Sequence, residues 1–223
     1  MAFFLFFLVL VLGIGLMIYN YKMEEKRRAE LAGLAGSLGL RFSPDRDHIT
    51  GGRFACLNPL NKGENRYAYN VISGDYHGHE LTLFDYHYQI RSYSRRSRTQ
   101  HYHLTVLSLA LPVNLPELVI APEGVLSKVA QTLGYDDIDF PSKEFSDAFC
   151  VRSKNKIFAF DMCSFPLIEW LMQNRDLHIE IDRNTLALLF FHPVPSGRIQ
   201  ENIERLLKLR SLLPGHLLTS DRC

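Results

Sequence analysis

The sequence predicts an α+β protein: a single N-terminal transmembrane helix followed by a mainly antiparallel sheet with flanking helices. Three observations predict it. Residues 1–21, MAFFLFFLVLVLGIGLMIYNY, carry no charged side chain. Residues 66–111 fall into three runs of alternating, β-branched and aromatic residues. Further strand runs follow, with helical patterns between and after them, which is not the order of a doubly wound nucleotide fold.

The first segment reads as an anchor. About 20 helical residues, rising about 1.5 Å each, cross the hydrocarbon core. A cleaved signal peptide needs a basic leader and a small-residue cleavage site, and neither precedes or ends this run. Lys22, Lys26, Arg27 and Arg28 all follow the span and none precede it. The excess of positive charge on that side predicts the N-terminus outside, the bulk of the chain cytoplasmic, and residence in the inner (plasma) membrane as a single-pass protein.

Next, residues 24–38 read as a helix continuing from the anchor, with Leu31, Leu34, Ala35 and Leu38 on one stripe. Gly39 can end it in the left-handed conformation. Residues 43–66 are rich in Gly, Pro, Asp and Asn and read mostly as loop. Strands are predicted at 66–75, 79–90 and 100–111, with a tight turn at Tyr76-His77-Gly78-His79 and a short strand at 118–120. A helix at 123–133 follows, then a strand at 147–152 and a helix at 165–173 that Ser164 can cap. Two antiparallel strands, 177–181 and 186–191, are predicted about a turn at Asp182-Arg183-Asn184. A helix at 198–213 closes the chain, burying Ile199, Ile203, Leu206, Leu207 and Leu213. The domain division expected is 1–21 anchor, 22–65 juxtamembrane helix and loop, 66–214 α+β domain and 215–223 flexible tail.

Composition narrows the function classes. At 47% hydrophobic and 22% charged residues the chain can build a packed core, and a net charge of +1 argues against a nucleic-acid-binding protein. Cys56, Cys150, Cys163 and Cys223 contain no C-x-x-C pair, so no zinc ribbon or thioredoxin motif is present. There is no G-x-S-x-G, H-E-x-x-H or G-x-x-x-x-G-K-[ST] either.

Two surfaces stand out. On the two-residue period of a strand, Leu81, Leu83, Asp85 and His87 share one face, and His101, His103, Thr105 and Leu107 share a face of the next strand. A symmetric hairpin sets His87 opposite His103 and makes Asp85 and His101 diagonal neighbours, within about 7–8 Å. Asp85, His87, His101 and His103 are therefore candidate zinc ligands, weighed against a plain solvated hairpin end. His77 and His79 lie about eight residues away, roughly 27 Å, and cannot join them. The loop that joins the two strands carries Arg91, Arg95, Arg96 and Arg98, interleaved with serines and Tyr93. Four guanidinium groups there can grip anionic lipid headgroups or a phosphorylated partner, against a solvated loop as the plain reading. His178 with Glu180 reads as an exposed polar strand face. Asp136, Asp137 and Asp139 read as turn and strand edge, since they lack the spaced ligands and glycine of a calcium loop. Arg198, Arg205, Lys208 and Arg210 read as the wet side of the last helix.

Four phrases occur in order: GHELTLFDYHYQ at 78–89, TVLSLALP at 105–112, FPSKEFSDAFCVRSKN at 140–155 and FPLIEWLMQNRDLHIEIDRNTLALLF at 165–190. Together they resemble a bacterial family of membrane-anchored proteins catalogued as a domain of unknown function. The resemblance spans most of residues 66–210 and implies an anchor plus an α+β domain. It carries over no catalytic residue.

The functional expectation is a non-catalytic binding or scaffolding module at the cytoplasmic membrane surface, with a protein or an anionic lipid as partner. The alternative is a metal-binding protein or metal-dependent hydrolase built on the histidine hairpin, with zinc as the cofactor.

Overall fold

The computed structural model of the chain describes residues 2–92, 98–124 and 137–219. A six-stranded sheet, β1 Arg41–Ser43, β2 Glu64–Tyr76, β3 His79–Ser92, β4 Arg98–Pro122, β5 Phe149–Arg152 and β6 His178–Phe190, forms its centre. The strands lie in the order β1-β2-β3-β4-β5, with β6 paired to β4, and every pairing is antiparallel. The helices are α1 Ala2–Ser37, α2 His48–Arg53, α3 Lys143–Ala148, α4 Lys156–Met162, α5 Phe165–Gln173 and α6 Ile199–Leu212. The expected class, α+β with one long apolar helix ahead of an antiparallel sheet, is what the chain adopts.

α1 is one unbroken helix of 36 residues, joining the predicted anchor to the predicted following helix. Its first part stands clear of the domain: Phe6, Leu16 and Tyr21 are 62–70% exposed. That apolar stretch is long enough to cross a membrane. Its last part is docked. Leu31 and Ala35 are buried and Leu34 and Leu38 pack beside them, as the stripe predicts. Full burial of one such leucine contributes about 2 kcal/mol. Gly39 at φ +70° closes the helix: its N–H and that of Leu40 donate to Gly36 and Ala35 carbonyls, the paired bonds of a glycine cap.

The sheet is covered on both faces. One face packs on the end of α1 and on α3 to α6, through Leu81, Leu83, Leu107, Leu118, Ile120, Ile179 and Leu188. The other, with Phe84, Tyr86, Leu104, Val106 and Leu189, is covered by Phe54, Leu57 and Leu60. That cover comes from residues expected mostly as loop. Asp47 caps α2 by accepting from the Ile49 and Thr50 N–H groups, and a 3-10 turn follows at Asn58–Asn61.

Several local expectations are corrected. The strands predicted at 100–111 and 118–120 are one strand, β4, whose register to β6 shifts around Pro112 and Pro116, which have no N–H to give the ladder. The predicted hairpin at 182–184 is likewise one strand. Arg183 takes φ +52° and makes a bulge there, because both halves of β6 pair along β4. The sequence reading missed α3, capped by the Ser142 hydroxyl, and α4, capped by the Asn155 carboxamide. Ser164 does sit at the N-cap of α5, but its hydroxyl makes no capping bond. Residues 215–218 form a 3-10 turn whose Leu217 and Leu218 pack on the core instead of fraying. The helix predicted at 123–133 falls mainly outside the described residues.

Candidate functional site

The β3–β4 register sets His87 opposite His103 and Asp85 opposite Thr105, as hairpin symmetry predicts. His101 pairs with Gln89, so it is diagonal to His87 rather than to Asp85, and Asp85 is diagonal to His103. The error in the sequence reading was one step of two residues along β4.

Asp85 has a role that its strand position does not reveal. Its carboxylate is fully buried and accepts hydrogen bonds from four donors. Arg27 of α1 forks onto it, Nε to Oδ2 at 2.9 Å and Nη2 to Oδ1 at 2.8 Å. The Thr105 hydroxyl donates to Oδ1 at 2.7 Å and the Asn70 amide to Oδ2 at 3.0 Å. Two donors per oxygen exhaust the usual acceptor sites of a carboxylate. The network continues outward: Arg27 Nη1 donates to the Val194 carbonyl at 2.6 Å, and the Val194 N–H donates to the Thr105 hydroxyl at 3.0 Å. Asn70 reaches the carboxylate because β2 bulges there, between Tyr69 and Ile72, with Asn70 at φ +53°. Asn tolerates that left-handed conformation better than other non-glycine residues do.

Further along the same face the imidazoles gather. His87 is 3% exposed, stacks on Tyr67 at 4.7 Å and donates from Nδ1 to the Asn65 carbonyl at 3.1 Å. A carbonyl can only accept, so a neutral His87 keeps its lone pair on Nε2, which faces His101 Nδ1 at 3.0 Å. The His103 ring lies 4.9 Å from that of His87, and its Nδ1 is 3.0 Å from the Tyr69 hydroxyl. Burial pushes the His87 imidazole below its ordinary pKa, and the neighbouring imidazoles add to that. His103 is pushed down by burial and by His101. Burial also raises the Tyr69 phenol, with the Asp85 charge adding to it. The three histidines thus come together, without Asp85.

Of the four arginines, Arg91 and Arg98 are exposed on the last rungs of the ladder, opposite Thr99 and Ser92. Arg95 and Arg96 lie outside the described residues. Exposed Ile90 and Tyr102 share the neighbouring face, with Tyr102 stacked flat on Tyr88 at 4.9 Å.

His178 and Glu180 are corrected from exposed to buried, each 2% accessible. His178 Nε2 meets Glu180 Oε1 at 2.9 Å, and Glu180 Oε2 accepts the Asn58 N–H at 2.8 Å. The 3-10 turn covers a strand face that alternation alone assigns to water. Arg205 is also no wet residue: it is pinned to Asp176 and Asn174. Asp137 accepts from the Val151 and Ile138 N–H groups. Glu123, Asp137 and Cys150 each bring a ligand atom within 4.8 Å of the others, a cluster the sequence reading missed. Its thiol is pushed up to about 12, by burial first and then by Asp137, and so stays protonated.

The protein is thus of a class in which a helix of membrane-span length runs without a break into an α+β domain and is bolted there by an arginine–aspartate fork. No family model and no curated protein matches the chain. It is similar in fold to the crystal structure of the mycobacterial trehalose monomycolate transport factor A, TtfA, with a TM-score of 0.59 at 16% identity over 86% of this chain and 96% of that one. At that identity the likeness is one of fold.

Proposed function

We propose that the chain is a non-catalytic binding or scaffolding module, tethered to the inner membrane by α1 with its α+β domain on the cytoplasmic side. The observation that carries this is the continuity of α1. The segment that is apolar and exposed at Phe6 to Tyr21 is the same rigid helix that Arg27 fastens to Asp85. A helix docked in this way fixes the height and orientation of the domain above the bilayer, which suits presentation of a surface to a protein or lipid partner. The fold shared with a protein named a transport factor supports a role in assisting a membrane process. Carbonate-washed membranes should retain the full-length protein, and a C-terminal alkaline phosphatase fusion should be inactive. An active fusion would reverse the orientation, and release by carbonate would remove the anchor.

A second reading rests on one observation. His87 donates its Nδ1–H to a backbone carbonyl, the arrangement that presents Nε2 as a ligand in zinc sites. His87, His101 and His103 would then hold zinc, with His103 turning from the Tyr69 hydroxyl toward His87 Nε2 and His101 Nδ1, which already lie 3.0 Å apart. Elemental mass spectrometry of the purified full-length protein, with a His87→Ala/His103→Ala control, decides it: absence of zinc in the intact protein ends that reading.

A further inference from the structure

We infer that a basic hollow on the turn-covered face of the sheet, between Arg53 and Arg183, binds a phosphate-type oxyanion, as free phosphate or as the phosphate of a small phosphomonoester. The inference goes beyond the tether reading and does not rest on it.

The hollow starts from side-chain size. Phe84 and Val106 fill the space under Phe54 and Leu57. Further along the same face the sheet carries shorter side chains, Thr82 beside Ser108 on one rung and Ala110 beside Thr185 on the next. These leave a cavity of about 210 Å³, with Phe54 and Cys56 in its wall. That is about seven times the volume of a water molecule in the liquid. It is smaller than the pockets that take drug-sized ligands, and it suits one tetrahedral anion with a short substituent.

Charge reaches the hollow from two sides. Arg53 enters from the end of α2 and Arg183 from β6. A bulge places Arg183. Ile179 and Ile181 face the helical layer before it, and Leu186 and Leu188 after it. Odd positions give way to even ones, so the strand changes parity around Arg183, where φ is +52°. Glycine or asparagine adopts that left-handed conformation more readily than arginine. Bulges and left-handed non-glycine residues cluster beside ligand sites, where they re-aim a side chain.

Within the lining, two guanidinium groups face one carboxylate. Arg53 holds Glu80 at 2.7 Å, which cancels that charge and leaves other donors of the fork. The one ion-pair partner of Arg183 among the described residues, Asp182, is 3.7 Å away, too far for a hydrogen bond. Donors thus converge from α2, from β6 and from the hydroxyl-bearing floor at Thr82 and Thr185. Phosphate oxygens point several ways and can meet such a set, whereas a carboxylate presents two oxygens on one side. A second hollow, of about 270 Å³, shares Arg53, Glu80 and Thr82 and adds Arg41, giving the rest of an ester a place to lie.

The test uses the full-length protein in detergent micelles and reads alkylation of Cys56 by iodoacetamide, mapped by peptide mass spectrometry. This thiol is half-buried in the wall of the hollow, so an occupant shields it. Inorganic phosphate, glycerol phosphate and acetate are titrated at constant ionic strength, and each variant is compared with its own rate in chloride. The expected result is a saturable, several-fold slowing by phosphate or the ester, with acetate far weaker. Tighter saturation by one of the first two tells the free ion from the ester. Arg183→Gly is the decisive variant, because glycine suits φ +52° and keeps the strand intact. It should hold or raise the melting midpoint, yet raise the half-saturating concentration about tenfold. Arg53→Gln should also weaken binding, and Glu80→Gln should tighten it several-fold. Lys208→Gln, exposed on the last helix, should change nothing. No slowing by either phosphate overturns the inference. So does slowing that Arg183→Gly leaves unchanged, or equal slowing by acetate.

Discussion

Arg27 grips Asp85 with two parallel hydrogen bonds across 58 residues of sequence, and this fork joins the membrane arm to the sheet. The two ends are not equivalent. The Asp85 side chain is 1% exposed and the Arg27 side chain 20%.

Loss of Arg27 should therefore be worse than loss of Asp85. Arg27→Met strands a buried carboxylate and should cost about 3–5 kcal/mol in urea unfolding. Asp85→Asn leaves a guanidinium that still reaches water and should cost less. Arg27→Met/Asp85→Leu should recover only part of the loss, because Asn70 and Thr105 then lose their acceptor. Protease cleavage between α1 and β1 should rise in the same order.

Acidification should weaken the domain through His87 and His103. Both are held below the ordinary imidazole value of 6.5, chiefly by burial. The unfolded chain therefore binds these protons first, and stability present above pH 6.5 is lost as pH falls from there through the lower folded values. His101 and Arg46 oppose protonation of His87, while Asp85 and Glu24 favour it at His103. Thermal melts between pH 7.5 and 5 should show a falling midpoint, and His87→Gln/His103→Gln should flatten that slope. An unchanged slope in the double variant would assign the acid sensitivity to other groups.

Glu180→Ala should destabilise the sheet by about 2–4 kcal/mol. It removes the acceptor of the half-buried Asn58 N–H and of His178 Nε2 together. Hydrogen exchange at the Asn58 amide should accelerate first, since that amide holds the 3-10 turn on the sheet.

Gly63→Ala should cost at least about 2 kcal/mol, while Gly78→Ala should cost about 1. Both glycines have positive φ. A Cβ on Gly63 would also meet the Gln89 carbonyl oxygen at 2.3 Å, whereas Gly78 has open space around it. Equal unfolding midpoints for the two variants would contradict the close approach of β2 to β3 at that end.

What local chemistry specifies was legible in the chain. The uncharged span, the Leu31–Leu38 stripe, the Gly39 cap, the turn at residues 76–79 and the pairing of His87 with His103 each depend on residues near in sequence or on the two-residue strand period. The tertiary structure decided the roles of Asp85, His178 and Glu180. Period tells which residues share a face, but not which layer lands on that face. Asp85 reads as a free ligand until α1 brings Arg27 from 58 residues away. His178 and Glu180 read as solvated until the turn at Asn58 closes over them. A polar side chain on a strand is a surface group or a buried anchor according to what covers it. That cover is set by long-range packing, where burial of Leu57 and Leu60 and satisfaction of one carboxylate outweigh the local preference of a polar face for water.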